Sequence, residues 1–203
     1  MLSRRRYASI KRVLDVTICL VLLPLVVPII LFCGALVWIE SRGSLFYMQP
    51  RTGLHGKNFK MFKLRTMIKG ADRLKHLLEQ ENRLSWPDFK VVDDPRVTLV
   101  GRFLRRSSID ELPQIFNVLR GEMSLVGPRP TSFDPTTYSL WQTERLEVLP
   151  GMTGLWQIGG RSNVEFVDRV RLDVEYVHRQ SLATDLAILL RTPSAVLRRR
   201  GAY

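Results

Sequence analysis

Cysteine and histidine are nearly absent from this 203-residue chain, which holds two of the former and three of the latter. Cys19 and Cys33 both fall inside an apolar run, where thiols act as small hydrophobes, so no disulfide framework is expected. His55, His76 and His178 are scattered with neither helical nor short-loop pairing, which argues against zinc. Any resident metal should then be a hard cation held by carboxylates. Acid is scarce too: 19 Asp and Glu against 31 Lys and Arg leave a net charge of +12. There is no internal repeat and no low-complexity linker, and no small-residue cleavage site follows the apolar run to mark it as a signal peptide.

The most conspicuous feature present is that run. Residues 16–39 are 24 consecutive positions without a charge. As a straight helix they would reach ~36 Å, enough to cross a ~30 Å hydrocarbon core. Length alone therefore describes a spanning helix, but two features favour re-entrance. Pro24 and Pro28 lie near the middle, where each removes a backbone donor and bends the chain. The flanks are basic on both sides, Arg4 to Arg12 before and Arg42 to Lys69 after, whereas a spanning helix places its positive loops on one side. The expectation is a proline-broken re-entrant helix over 1–40 with both ends in the cytoplasm, followed by a domain over 41–203. Asp15 at the entry is expected to pair with Arg12.

The remainder predicts an α+β, mostly helical domain. Residues 44–49 and 58–67 are rich in aromatic and branched side chains and read as a small β-hairpin around a long basic loop, 50–57. Amphipathic helices are expected over 71–84, 99–106, 110–119, 138–148 and 164–179, with an irregular connection through Gly121–Pro130 and a glycine-rich loop over 150–161. Residues 182–200 combine an apolar face with Arg191 and Arg198–Arg200, which suits an amphipathic interfacial helix at a membrane or an ordinary core-facing helix with a basic end.

The positive charge needs an anionic partner. Nucleic acid is one candidate, but beside a membrane segment an anionic lipid surface and a phosphate-rich substrate are favoured, and no nucleic-acid partner is expected. Chemistry concentrates at Arg105-Arg106-Ser107-Ser108-Ile109-Asp110-Glu111-Leu112-Pro113-Gln114. Ser108 and Glu111 have capping-box spacing, and Pro113 belongs in a first helical turn, so Asp110 and Glu111 are expected at a helix N-terminus. Two acids there are a common helix-start device. Arg96, Arg102, Arg105, Arg106 and Arg129 crowd the same stretch with Asp93 and Asp94, however, and a site for a diphosphate with a divalent cation needs both kinds of group. The segment from Pro150 to Asn163 offers close backbone approach and the fork of Arg161, but it matches neither dinucleotide nor Walker spacing.

Several stretches taken in order resemble the bacterial sugar transferase family, the monotopic phosphoglycosyltransferases that begin exopolysaccharide and O-antigen assembly. They are Lys11-Arg12-Val13-Leu14-Asp15, Phe62-Lys63-Leu64-Arg65-Thr66-Met67, Asp94-Pro95-Arg96-Val97-Thr98, the segment from Ser108 to Gln114, and Leu119-Arg120-Gly121-Glu122-Met123-Ser124-Leu125-Val126-Gly127-Pro128-Arg129-Pro130. The segment from Pro150 to Arg161 and Leu172-Asp173-Val174-Glu175-Tyr176-Val177 complete the series. The resemblance implies a catalytic acid pair, Asp110 and Glu111. Asp110 would attack the β-phosphorus of a UDP-sugar, release UMP and carry a phosphosugar until a polyprenyl phosphate takes it. It implies Mg2+ held through Asp110 and Glu111, with Glu111 as a metal or proton-handling partner. Phosphate contacts are assigned to Arg129 and Arg161, with Lys63, Arg65, Arg96 and Arg106 behind them. It also implies re-entry at Pro24 and Pro28 from the cytoplasmic face of the bacterial inner membrane, and a minimal form without the multi-helix domain of longer members. The ending Arg200-Gly201-Ala202-Tyr203 resembles the branch that transfers galactose or glucose phosphate. Membrane lipids are expected partners and a homodimer is compatible with the sequence. The competing reading is a non-catalytic basic scaffold at the membrane surface.

Overall fold

The computed structural model describes residues 3–74, 76–81, 91, 93–132, 135–159 and 165–197. It opens on α1, a 38-residue helix over Arg4–Ser41 capped by the Ser3 hydroxyl, which accepts from the Arg6 N–H. The expectation that the prolines divide this segment in two is not met: Pro24 and Pro28 sit inside one continuous helix, both on its exposed side. A proline ring crowds the carbonyl four residues back, which opens the ladder on the proline side and makes that side convex. One stripe, formed by Tyr7, Asp15, Cys19, Val26, Ile30, Cys33 and Val37, is buried against the rest of the chain at helical spacing. The opposite face leaves Val21, Leu25, Leu31 and Phe32 exposed, which is lipid-like surface.

Both ends of α1 dock on the same body. Near its start, the Tyr7 hydroxyl (2.8 Å) and Lys11 Nζ (2.9 Å) donate to Asp185 Oδ2. Arg12 and Asp15 do not pair with each other. Arg12 donates to the carbonyls of Val118 and Leu119, while Asp15 accepts from the Ser124 hydroxyl at 2.7 Å and the Leu125 N–H at 3.3 Å. Each finds a better partner across the interface, because the end of a helix leaves carbonyls open. At the far end, Glu40 accepts from the N–H groups of Leu99 (2.8 Å) and Val100 (3.2 Å), and Ser41 accepts from Arg65.

The hairpin forms as expected in type, with β1 (Phe46–Thr52) antiparallel to β2 (Asn58–Leu64), Phe46 opposite Leu64 and Thr52 opposite Asn58. Its loop is shorter than expected because Pro50, Arg51 and Thr52 belong to the strand. β1 has β2 as its sheet neighbour, so Pro50 stands on an edge where no ladder amide is missed. Two 3-10 turns, Ala71–Leu74 and His76–Glu81, replace the helix expected over 71–84. Of the described leucines on its apolar face, Leu78 is buried while Leu74 and Leu77 stay exposed, too little packing to support an α-helix.

Next come α2 (Leu99–Ser107) and α3 (Gln114–Arg120). The Thr98 hydroxyl caps α2 through the Gly101 N–H at 2.9 Å. Gly101 lies so close to the end of the hairpin that a Cβ there would stand 2.0 Å from the Thr66 carbonyl oxygen. A second sheet, absent from the sequence reading, pairs β3 (Ser124–Val126) in parallel with β4 (Gly151–Thr153). Between them, α4 (Leu140–Thr143) and a 3-10 turn over Glu144–Glu147 stand where one helix was expected. The glycine-rich stretch expected as a loop contains β4 and α5 (Leu155–Gly159). Gly151 is required there, since a Cβ would meet the Gly127 nitrogen at 2.1 Å. The chain closes on α6 (Phe166–His178) and α7 (Leu182–Leu197). Leu64, Leu104, Val118, Met123, Val126, Tyr176 and Ile188 form the centre of the core, to which the hairpin, α2, α3, α6 and α7 all contribute.

Candidate active site

A cleft of about 1050 Å³ opens between the hairpin, the α2–α3 connection and α5–α7. Nine Lys and Arg side chains line it against four carboxylates, an imbalance that a polyanionic ligand would relieve. Asp110 and Glu111 stand at its floor. The capping box expected for them is absent: Ser108 ends α2 at φ 57° and makes no side-chain cap, and the acids occupy a three-residue 3-10 turn, Ile109–Glu111. Pro113 then precedes α3. So short a turn has little dipole, and the positive field at the acids comes from side chains.

The two carboxylates are unlike. Glu111, 22% exposed, accepts from Lys63 Nζ at 2.8 Å and from both Arg129 Nη atoms, Nη1 lying 3.1 Å from Oε2 and Nη2 closer still to Oε1. Burial alone would raise its carboxyl, but Arg129 and then Lys63 outweigh it and hold Glu111 well below the usual carboxylate range. Asp110 is 8% exposed, and no donor among the described residues bonds its carboxylate. Burial raises it to about 6; Lys63 opposes the shift and the neighbouring Glu111 charge adds to it. At neutral pH the floor of the cleft thus holds one tethered carboxylate beside one with its lone pairs open.

Lys63 reaches Glu111 from β2, and Arg129 comes from the connection after β3. Arg65 and Arg96 also line the cleft, Arg65 bonded to Ser41 and Arg96 forked onto Asp94 in a buried pair. Arg106 is exposed and outside the lining. Its neighbour Arg105 turns inward instead, Nε donating to the Thr66 hydroxyl at 2.8 Å. Arg161 lies outside the described residues. Arg51, to which no local sequence motif assigns a site role, stands near Arg129: burial and then that like charge bring it down to about 10. Its signal was strand alternation, since Tyr47, Gln49 and Arg51 share one face of β1 and all line the cleft. Also unforeseen is the indole of Trp156, with the Arg169 guanidinium 5.4 Å and that of Arg129 6.0 Å from its centroid.

Among the described residues no three acids, histidines or cysteines gather into a self-sufficient metal site. Mg2+ needs only one or two carboxylates when substrate phosphates and water complete its shell. The open carboxylate of Asp110 beside Glu111 is compatible with that arrangement.

A family model described as bacterial sugar transferase matches residues 6–199. The chain is 42% identical over 207 residues to the undecaprenyl-phosphate galactose phosphotransferase of Salmonella typhimurium, covering 100% of this chain and 43% of that protein. It is 42% identical over 198 residues to the exopolysaccharide production protein ExoY of Sinorhizobium fredii, covering 95% and 88%. A UDP-glucose:undecaprenyl-phosphate glucose-1-phosphate transferase of Caulobacter vibrioides is 42% identical over 205 residues, covering 95% and 72%. The chain thus spans less than half of the Salmonella protein and most of the other two.

Proposed function

Since the chain belongs to the bacterial sugar transferase family, we propose that it moves a hexose 1-phosphate, galactose or glucose, from a UDP-sugar to undecaprenyl phosphate. The reaction is placed at the cytoplasmic face of the bacterial inner membrane, as the first membrane step of exopolysaccharide or O-antigen assembly. The observation that carries this reading is the pairing of a donor-free Asp110 with a Glu111 tethered through both oxygens by Lys63 and Arg129. A nucleophile needs an unshared oxygen; Asp110 has one and Glu111 has not.

In the first half-reaction an Asp110 carboxylate oxygen bonds to the β-phosphorus. The bond from that phosphorus to the bridging oxygen breaks, and UMP leaves with the oxygen. In the second, an oxygen of the polyprenyl phosphate attacks the same phosphorus, the aspartyl bond breaks and the carboxylate is restored. Arg129 and Lys63 hold Glu111 and lie where they can share their charge with the diphosphate, and Arg51 and Arg105 add cations on either side. Asp110 and, through the second lone pair of Oε2, Glu111 would hold Mg2+, which would supply charge neutralisation of the diphosphate and of the departing UMP.

The contacts of α1 support the membrane part of this reading. Lys11 at one end and Glu40 at the other bond one folded body, which supports placing both ends on the same side of the bilayer. In this reading the apolar outer face of the helix, which carries both prolines, dips into the hydrocarbon while its two ends stay at the surface. Leu99 and Phe103 on α2, with Leu186 and Leu190 on α7, extend that surface as interfacial helices. The test is UMP release across a set of UDP-sugars with a short polyprenyl phosphate as acceptor. UDP-galactose or UDP-glucose should support release and Asp110→Asn should stop it. Full turnover by that variant would overturn the mechanism.

A further inference from the structure

Arg129 must hold its guanidinium on Glu111 from an irregular connection rather than from a helix or strand. Its neighbours are pinned by backbone bonds: the Gly127 N–H donates to Thr153, the Pro128 carbonyl accepts from Gly151, and the Thr131 carbonyl accepts from Thr52. The Arg129 peptide has no such bond among the described residues. Its carbonyl accepts from Arg145 Nη2 at 2.6 Å, and the same nitrogen donates to Asp173 Oδ2 at 2.5 Å. Arg145 comes from the turn after α4 and Asp173 from the middle of α6. Their side chains are 4% and 2% exposed, and both residues line the cleft.

Burying such a pair is a poor way to stabilise a fold. Desolvation consumes most of the attraction, and apolar replacements of similar volume are often neutral or better. What a hydrogen-bonded buried pair does provide is a fixed place for the group it touches. We propose that the Arg145–Asp173 pair is a positioning device that clamps the Arg129 peptide and so aims its guanidinium at Glu111 and at the phosphate of the donor. This rests on the reading that Arg129 serves sugar-phosphate transfer. The pair acts through Arg129 and touches no reacting atom.

The test uses the full chain in detergent or nanodiscs, with UDP-galactose or UDP-glucose and a short polyprenyl phosphate. Arg145→Met with Asp173→Leu removes both charges together and leaves neither partner stranded. The expected result is a melting temperature within about 5 °C of the unaltered protein, with UMP release down on the order of 10- to 100-fold. The same double change made on an Arg129→Lys background should cost less than about 2-fold more, because effects routed through one residue do not multiply. Three results would overturn the proposal: unchanged turnover, a melting temperature that collapses, or an undiminished loss on the Arg129→Lys background. If the unaltered chain releases no UMP from any UDP-sugar, the functional reading fails instead, a different and separately visible outcome.

Discussion

The carboxylates beneath α1 and Asp110 in the cleft obey opposite rules. Under α1, Asp185 accepts from Tyr7, Lys11 and Tyr176, and Asp15 accepts from Ser124 and Leu125. Asp94 and Asp173 are likewise filled, by Arg96 and Arg145. Of the five buried aspartates among the described residues, Asp110 alone has no donor on it. Buried acids normally find partners because an unpaired one is costly, and the bare Asp110 beside a tethered Glu111 is the feature on which the proposed chemistry rests. Removing Asp185 alone, which strands its donors, should damage the fold; removing the bare Asp110 should damage only the reaction.

The largest expected effect is at Asp110. Asp110→Asn should lower UMP release on the order of 10³-fold or more, with a melting temperature equal to or above that of the unaltered protein, since an unfavourable buried charge is removed. Next is Glu111→Gln, expected to slow turnover roughly 100-fold and to shift the pH profile. An ionised nucleophile is required, so in the unaltered protein the rate should fall as pH drops through about 6, where Asp110 takes up its proton. Deleting the Glu111 charge, which helps raise Asp110, should move that limb to lower pH; a limb that stays in place or rises would break the proposed coupling.

Asp185→Ala supplies the opposite member of the comparison. It strands Lys11 and two tyrosine hydroxyls, so a loss of about 3 kcal/mol in unfolding free energy is expected, while UMP release per folded molecule stays near normal. The smallest effect is expected at Glu40→Gln, which weakens the anion at the N-terminus of α2 by about 1 kcal/mol. A melting curve resolves it, and the catalytic rate should not change.

Much of this was legible in the sequence where periodicity was long. The hairpin, α2, α6 and α7 appeared within a few residues of their expected places, because each buries a regular face. The length of α1 was legible and its continuity was not, since a proline inside a helix can bend it without ending it. The three-residue strands β3 and β4 are too short to display a period and are fixed by glycine packing. Asp110 and Glu111 stood out as an acid pair, but their difference comes from Lys63, 48 residues from Glu111, and Arg129, 18 residues from it, which no local pattern records. Arg105 and Arg106 show how fine the margin is. One residue on a helix is a turn of about 100°, which separates a guanidinium in the cleft from one in solvent.

The most direct test is mass spectrometry of the protein incubated with UDP-galactose or UDP-glucose and no acceptor. The account predicts one hexose phosphate added to the chain, located on Asp110 by proteolysis and discharged when a polyprenyl phosphate is supplied. Steady UMP release with an adduct on another residue, or with none that can be trapped in a single turnover, would contradict it.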